Sequence, residues 1–201
     1  MQLLKKVLNI SAERQLKTAG DLFVYHSDYH GALQLLEKVL ADDPNDTRAL
    51  VLMGDILFCL NRDKDSLQTL EKAIRLDPTM AEAYISKSGV LEVMGRLRDA
   101  LQACREALAH AANGKRHYLL AGLFDQEIIL LIRMKRFREA QRVLEKALYC
   151  LDDEEDVDFL LSSYKGLLDH YCQKRLHTQE RARQLSLSIV KNPSPCQAQV
   201  S

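Results

Sequence analysis

The sequence predicts an all-α solenoid, a stack of antiparallel helix pairs, on three observations. Small residues and prolines recur every 34 residues: Gly20 and Gly54, Pro44 and Pro78, and the series Ala32, Ser66 and Ala100. The body of the chain is rich in the helix formers leucine, alanine, glutamate, lysine and arginine. No stretch alternates β-branched and polar residues as a strand would. A fixed period of this length indicates units that bury their apolar faces against one another.

The first two units follow one pattern, beginning at Glu13 and Thr47. Each has a glycine in its first helix and a small residue in its second, and we expect these to meet where the two helices cross. Pro44 and Pro78 should end the second helices, because proline cannot continue the helical hydrogen-bond ladder. Thr79 and Glu82 have the spacing of a capping box at the start of the third unit.

The third and fourth units depart from this pattern. The third, from Ala81, has Lys87-Ser88 where an apolar residue and a glycine are expected. Asn113-Gly114 predicts its last helix stop. In the fourth unit, Ala140 follows Ala100 by 40 residues, so six are extra. The first half fits with either Ala121-Gly122 or Phe124 and Leu131 in the pattern positions. Both alignments predict a first helix longer by about 9 Å.

We expect one solenoid domain over residues 1–191. The predicted units span about 13–46, 47–80, 81–114 and 115–154, followed by a degenerate pair or cap over 155–191. Residues 3–8 are predicted to form a short leading helix and residues 152–158 an acidic bend. Residues 192–201 read as a disordered tail.

The pattern resembles the tetratricopeptide repeat, W-x2-L-G-x2-Y, then A-x3-F, then P. The matching residues of the first two units are Leu16, Gly20, Phe23, Ala32, Leu36, Pro44, Leu50, Gly54, Leu57, Ser66, Leu70, Ala73 and Pro78. The resemblance covers residues 13–154. It implies a right-handed superhelix of helix pairs with C-terminal capping helices. It also implies a concave groove, lined by the first helix of each unit, that binds a peptide or helix of a partner protein.

The same resemblance assigns the groove residues. They occupy the second, fifth, sixth, ninth, twelfth and thirteenth positions of each unit: Arg14, Lys17, Thr18, Asp21, Val24, Tyr25, Arg48, Val51, Leu52, Asp55, Phe58, Cys59, Glu82, Ile85, Ser86, Gly89, Glu92 and Val93. Five of them are expected to form an exposed apolar strip: Val51, Phe58, Cys59, Ile85 and Val93. Such a strip indicates a binding surface, or a surface covered by the leading or C-terminal helices.

The predicted function is therefore a non-catalytic scaffold or adaptor for a protein or peptide partner. Two alternatives remain: a chaperone for a secreted or assembling client protein, and a structural repeat protein that associates into homo-oligomers. A subclass of the family grips the acidic C-termini of chaperones. Asp21, Leu52 and Glu82 stand where that subclass has asparagine or a basic residue, so we expect no binding of free acidic C-termini.

Composition and motifs argue against several other functional classes of protein. Lys+Arg and Asp+Glu both total 28, so a general nucleic-acid binder is not expected. The cysteines form no CxxC pair, and His26 and His30 are expected to lie across a helix end, so neither metal nor cofactor is predicted. No catalytic motif is found. Apolar runs such as Ile128–Ile132 are too short for a membrane span, and a cytoplasmic location is expected.

Overall fold

The structure is a computed structural model that describes residues 2–113, 117–151 and 153–164. The chain divides into two compact units, Met1–Leu151 and Asp152–Ser201. The predicted tail over 192–201 and most of the predicted cap over 155–191 lie outside the described residues.

Every described element is helical, which confirms the all-α prediction. The elements of the first compact unit are α1 (Gln2–His26), α2 (Tyr29–Asp42), α3 (Thr47–Cys59), α4 (Asp63–Leu76), α5 (Ala81–Val93), α6 (Leu97–Asn113), a 3₁₀ turn (His117–Leu119), α7 (Leu120–Arg133) and α8 (Phe137–Cys150). In the second compact unit residues 154–164 are helical. The predicted acidic bend over 152–158 is therefore wrong. Asp153 instead accepts hydrogen bonds from the backbone N–H groups of Glu155 and Asp156, at 2.8 and 3.4 Å.

The helices pack as four pairs, α1 with α2, α3 with α4, α5 with α6 and α7 with α8. The turns inside the pairs have two or three residues, so the helices of a pair run antiparallel. Each pair also packs on the next, and α3 touches both α1 and α5. Large buried side chains fill the layers between helices: Leu36, Ile56, Leu70, Leu91, Leu131 and Leu144. This is the stacked architecture that the period predicts.

The four turns inside the pairs share one backbone feature. Ser27, Asn61, Gly95 and Lys135 have φ values of 52°, 57°, 74° and 59°, in the left-handed region. Each residue lies at the same place, two residues before the first residue of its second helix. Only Gly95 adopts this conformation without a steric penalty from Cβ. The repeat therefore imposes the turn geometry even where the residue type does not favour it.

Two sequence-based boundaries are wrong. Residues 3–8 do not form a separate helix, because α1 is continuous from Gln2 to His26. Neither glycine nor proline lies between residues 2 and 19 to interrupt it. The first helix of the fourth unit is not lengthened either, since α7 has 14 residues. The extra residues lie before it, in the 17-residue α6 and the segment that follows.

The location of the extra residues also decides the alignment of the fourth unit. Phe124 and Leu131 are 3% and 0% exposed and occupy the pattern positions. The predicted stop at Asn113 is confirmed, since α6 ends there.

The ends of the second helices agree with the sequence, whereas the predicted capping box does not form. α2 ends at Asp42 and α4 at Leu76, each two residues before a proline. The N-cap of α5 is Met80, which makes no side-chain capping bond. The Thr79 hydroxyl instead donates to the Asp77 carboxylate at 2.7 Å. Asp77 already closes the preceding turn, so it recruits Thr79 away from the helix start.

The two pattern glycines have different surroundings. A Cβ atom on Gly54 would lie 2.7 Å from Cγ and Cδ2 of Leu70, so this close approach of α3 and α4 requires glycine. The residue it meets is Leu70 rather than the predicted Ser66. At Gly20 a Cβ atom would meet nothing within 4 Å, so the predicted close contact with Ala32 is wrong.

Two buried serines differ in whether their hydroxyl groups are hydrogen-bonded. Ser88 stands where the second unit has Gly54, and its hydroxyl donates to the backbone carbonyl of Ala100 at 2.9 Å. Ser66 is 0% exposed, and its hydroxyl has no hydrogen-bond partner in the described part of the chain.

We predict opposite effects for alanine at the two glycines. Gly54→Ala should lower the free energy of unfolding by about 1–3 kcal/mol, because buried Leu70 cannot move aside. Gly20→Ala should raise it by about 0.5–1 kcal/mol, because the new methyl group enters open space and glycine is a poor helix former. Urea unfolding followed by circular dichroism measures both. Destabilisation by both substitutions would show that Gly20 also lies at a close contact.

We also predict a difference between the serines. Ser88→Ala should lower the free energy of unfolding by about 1 kcal/mol, since it removes a satisfied buried hydrogen bond. Ser66→Ala should raise it by about 1 kcal/mol, because it removes a buried hydroxyl that has no partner. The same urea titrations decide the point, and a similar loss for both variants would contradict it.

Candidate functional site

The first helices of neighbouring units are joined side by side by polar contacts. Nη2 of Arg48, at the start of α3, lies 2.6 Å from Oε1 of Glu13 on α1. Glu92, near the end of α5, pairs with Arg133 at the end of α7 and accepts a hydrogen bond from Gln126. These contacts bring corresponding ends of successive first helices together. We call the surface formed by α1, α3 and α5 the groove face.

The centre of the predicted apolar strip is buried. Val51 is 7% exposed and belongs to a buried cluster that spans the second and third units: Leu50, Val51, Leu70, Ala73, Ala83 and Val90. The prediction that Val51 is exposed is wrong, because α3 packs directly on α5 and closes over this position. Ile85, Ser86 and Gly89 on α5 are half-buried, and so is Leu52, which packs against the cluster shared with the first unit.

The exposed apolar residues lie instead at the C-terminal ends of the first helices. Tyr25 and Val93 are 76% and 66% exposed, and Cys59 is also exposed. These three residues are successively 34 apart in sequence. Cys59 and Val93 are the last residues of α3 and α5, and Tyr25 is the last but one of α1. We call them the apolar row. Val24, beside Tyr25, is exposed as well, and Phe58 is half-buried against the second-to-third-unit cluster.

Cys59 acts as an apolar member of this row. Burial, and then the negative charge of Asp55, raise the pKa of its thiol. The thiol therefore stays protonated near neutral pH, and a protonated cysteine behaves as a small hydrophobic group.

The charged groove residues fall into two sets. Arg48 and Glu92 are engaged in contacts between units, and the hydrogen bond from Arg48 to Glu13 is the main cause that raises the pKa of Arg48. Asp55 is half-buried, and burial raises the pKa of its carboxyl, partly offset by a hydrogen bond with Ser86. Glu82 is half-buried at the start of α5.

Arg14, Lys17 and Asp21 form the second set. They are exposed on α1 and form no ion pair with another described residue. The free charge of the groove face is therefore concentrated in the first unit.

Sequence reasoning missed the most buried carboxylate of the described residues. The Glu127 side chain is 7% exposed and lies 2.6 Å from Nε of Arg105, across the packing of α6 on α7. Its position one turn after Phe124 and one turn before Leu131 marked a core-facing site. Its partner lies 22 residues away in sequence, at no spacing that a helical pattern reveals.

The Cys104 thiol, which is buried close to Glu127, is not a reactive group. Burial raises the pKa of Cys104 to about 12. Within the described ranges, histidine, cysteine, aspartate and glutamate side chains do not gather in groups of three that could hold a metal ion. None of the described helices is both long and apolar enough to cross a membrane.

Comparison with known proteins agrees with this architecture. The tetratricopeptide repeat family model matches residues 24–88. The crystal structure of MamA is 24% identical with a TM-score of 0.57, and the match covers 82% of this chain and 96% of that one. The pilF protein of Pseudomonas aeruginosa is 16% identical with a TM-score of 0.65, covering 92% of both chains.

A third solved structure is the TPR2B domain of yeast Sti1 in complex with pHsp70. It is 19% identical with a TM-score of 0.58, over 62% of this chain and 98% of that one. No curated protein matches the chain by sequence. The 34-residue period, the stacked helix pairs and these matches together show that the chain has the fold of tetratricopeptide-repeat proteins, and residues 24–88 match the model of that family.

Proposed function

We propose that this protein is a non-catalytic interaction scaffold that docks an apolar segment of a partner protein across the apolar row. The observation that carries the proposal is the exposure of Tyr25, Cys59 and Val93 at one position of three successive units. Exposed apolar groups in a regular array favour a binding role, since isolated ones occur on any surface.

The spacing of the row suits a helical partner. Helices that pack side by side lie about 8–10 Å apart, which sets the step from one row member to the next. Seven residues of a helix rise about 10.5 Å. Side chains one heptad apart on a partner helix therefore align with Tyr25, Cys59 and Val93 in turn. This is the helix-in-groove mode of recognition.

The charges of the first unit would give the bound segment a direction. Arg14 and Lys17 lie on α1 without a described ion-pair partner, so acidic groups that flank the apolar segment are attracted to that end. Asp21 lies one turn beyond Lys17 and disfavours a terminal carboxylate. We therefore retain the expectation that free acidic C-termini do not bind.

The cysteines support a non-catalytic role. The thiol pKa values of Cys59 and Cys104 are both raised, which disfavours the nucleophilic thiolate. The solved complex of the Sti1 domain with pHsp70 shows the same fold bound to another protein. Fold alone does not assign a function, so the proposal depends on the row itself.

A matched pair of variants tests the row. Tyr25→Ser/Val93→Ser removes one aromatic and one aliphatic side chain from it. Leu76→Ser/Tyr149→Ser removes the same types from the ends of second helices, where Leu76 and Tyr149 are 41% and 91% exposed. We predict that proteins captured by the wild type from native lysate and identified by mass spectrometry are lost by the first variant only. Affinity for the purified partner, measured by fluorescence anisotropy, should fall about tenfold or more.

Circular dichroism should show that both variants are folded, because all four side chains are exposed. A Val51→Glu variant would not serve this test, because it would place an unpaired charge in the buried cluster and destabilise the stack. Equal retention of partners by both variants, or equal loss, would refute docking at the row.

A further inference from the structure

A row of basic residues lies directly after the turns inside the helix pairs, at the starts of the second helices and outside the groove face. His30, Lys64, Arg98 and Arg138 are each the second residue of α2, α4, α6 and α8. All four are exposed, and none forms an ion pair with another described residue. We call the three permanently charged members, Lys64, Arg98 and Arg138, the basic row.

The turns that precede this row lie along one edge of the stack. α3 packs beside α5, and the pairing of Glu92 with Arg133 brings the ends of α5 and α7 together. The turns that follow these helices share the left-handed residue described above. Because neighbouring first helices are about 8–10 Å apart, successive members of the basic row are separated by about the same step. We call this side of the first compact unit the turn edge.

The rest of the turn edge keeps the row unneutralised. Arg62, Arg96 and Arg136 each pair with the acidic residue three positions later, with N–O distances of 2.7, 2.7 and 2.6 Å. These pairs engage the carboxylates of Asp65, Asp99 and Glu139. Beside them, the basic row and Lys135 are not engaged in ion pairs with described residues, and Asp63 is the one acidic side chain of these segments that is likewise not engaged.

The charge count of the turn edge is also positive. Residues 62–65, 96–99 and 135–139 contain seven basic and four acidic side chains, in a chain whose formal net charge is zero. The N-termini of α4, α6 and α8 lie beside the C-termini of α3, α5 and α7, so the helix dipoles at this edge largely cancel and the side chains set its sign. The surface of the turn edge is therefore positive although the formal net charge of the chain is zero.

The opposite edge carries acidic residues that have structural roles. Asp43 accepts a hydrogen bond from Asn45 N–H, and Asp46 accepts from the N–H groups of Arg48 and Ala49. Asp77 accepts from the N–H and hydroxyl of Thr79. These carboxylates cap turns and helices of their own chain, which makes them poor partners for the turn edge of a second copy.

Apolar side chains accompany the basic row. Phe137, next to Arg138, is 46% exposed, and Leu97, next to Arg98, is half-buried. A surface of alternating cationic and apolar groups fits a protein segment that combines carboxylates with apolar residues. It fits a nucleic acid less well, because a few unpaired cations on a chain of zero formal net charge offer few phosphate contacts.

We propose that the turn edge is a second docking surface, formed by residues other than the apolar row, for an acidic and partly apolar protein segment. The carboxylates of the segment would contact Lys64, Arg98 and Arg138, and its apolar side chains would contact Leu97 and Phe137. One glutamate per heptad of a helix recurs every 10.5 Å or so, which matches the step of the row.

The test uses the full chain and a fluorescein-labelled synthetic helix with one glutamate per heptad on a partly apolar face. The row variant is Lys64→Gln/Arg98→Gln/Arg138→Gln. The control variant, Lys38→Gln/Arg75→Gln/Lys146→Gln, removes three exposed positive charges elsewhere. In anisotropy titrations at low salt the row variant should bind about tenfold more weakly than the wild type, and the control within about twofold. The same helix with glutamine in place of glutamate should lose wild-type binding.

Four results would overturn the proposal. Equal loss in the row and control variants would show that net charge alone drives binding. Undiminished binding by the row variant, or by the glutamine helix, would exclude contact between the row and carboxylates. Tighter binding of a single-stranded oligonucleotide, lost in the row variant, would make the edge a nucleic-acid surface. Self-association in sedimentation velocity that only the row variant loses would make a second copy the occupant.

Discussion

Each helix pair of this protein buries its apolar face against the next pair, and the remaining structure depends on that constraint. α3 shows this directly, because its two flanks belong to different clusters. Ile56 packs in the cluster shared with the first unit, whereas Val51 packs in the cluster shared with the third. A first helix that is covered on both flanks has little surface left for a ligand. The exposed apolar residues are therefore displaced to its C-terminal end, where the chain turns away.

The sequence was sufficient for what depends on spacing and insufficient for what depends on neighbours. The 34-residue period predicted the pairs, and the prolines predicted the ends of α2 and α4. The repeat positions placed Val51 in one apolar strip with Cys59, but a repeat position cannot tell whether its side chain faces solvent or an adjacent unit. Gly20 and Gly54 likewise occupy the same position of the repeat pattern. They differ in whether a side chain of the opposite helix reaches them.

Departures from the repeat pattern are accompanied by local polar partners. In the third unit, Ser88 replaces a glycine and bonds to the carbonyl of Ala100, and Lys87 pairs with Glu71 at 3.1 Å. The buried carboxylate of Glu127 is likewise paired with Arg105. Buried polar groups need such partners, because an unpaired one costs about 1–3 kcal/mol of stability. A strict match to the pattern is thus one of several ways to build a unit.

The lengthened connection between α6 and α7 has a consequence for how such a chain can change over time. The six extra residues fall mainly in the longer α6 and the connection after it, while α7 and α8 have the 14-residue length of α2 and α4. Insertions at a connection leave the core layers in register, whereas insertions inside a helix would rotate every later side chain. Tyr118, which is 75% exposed in this connection, shows what such growth can add. Repeat proteins can acquire a new surface feature at these sites while the inherited stack is left intact.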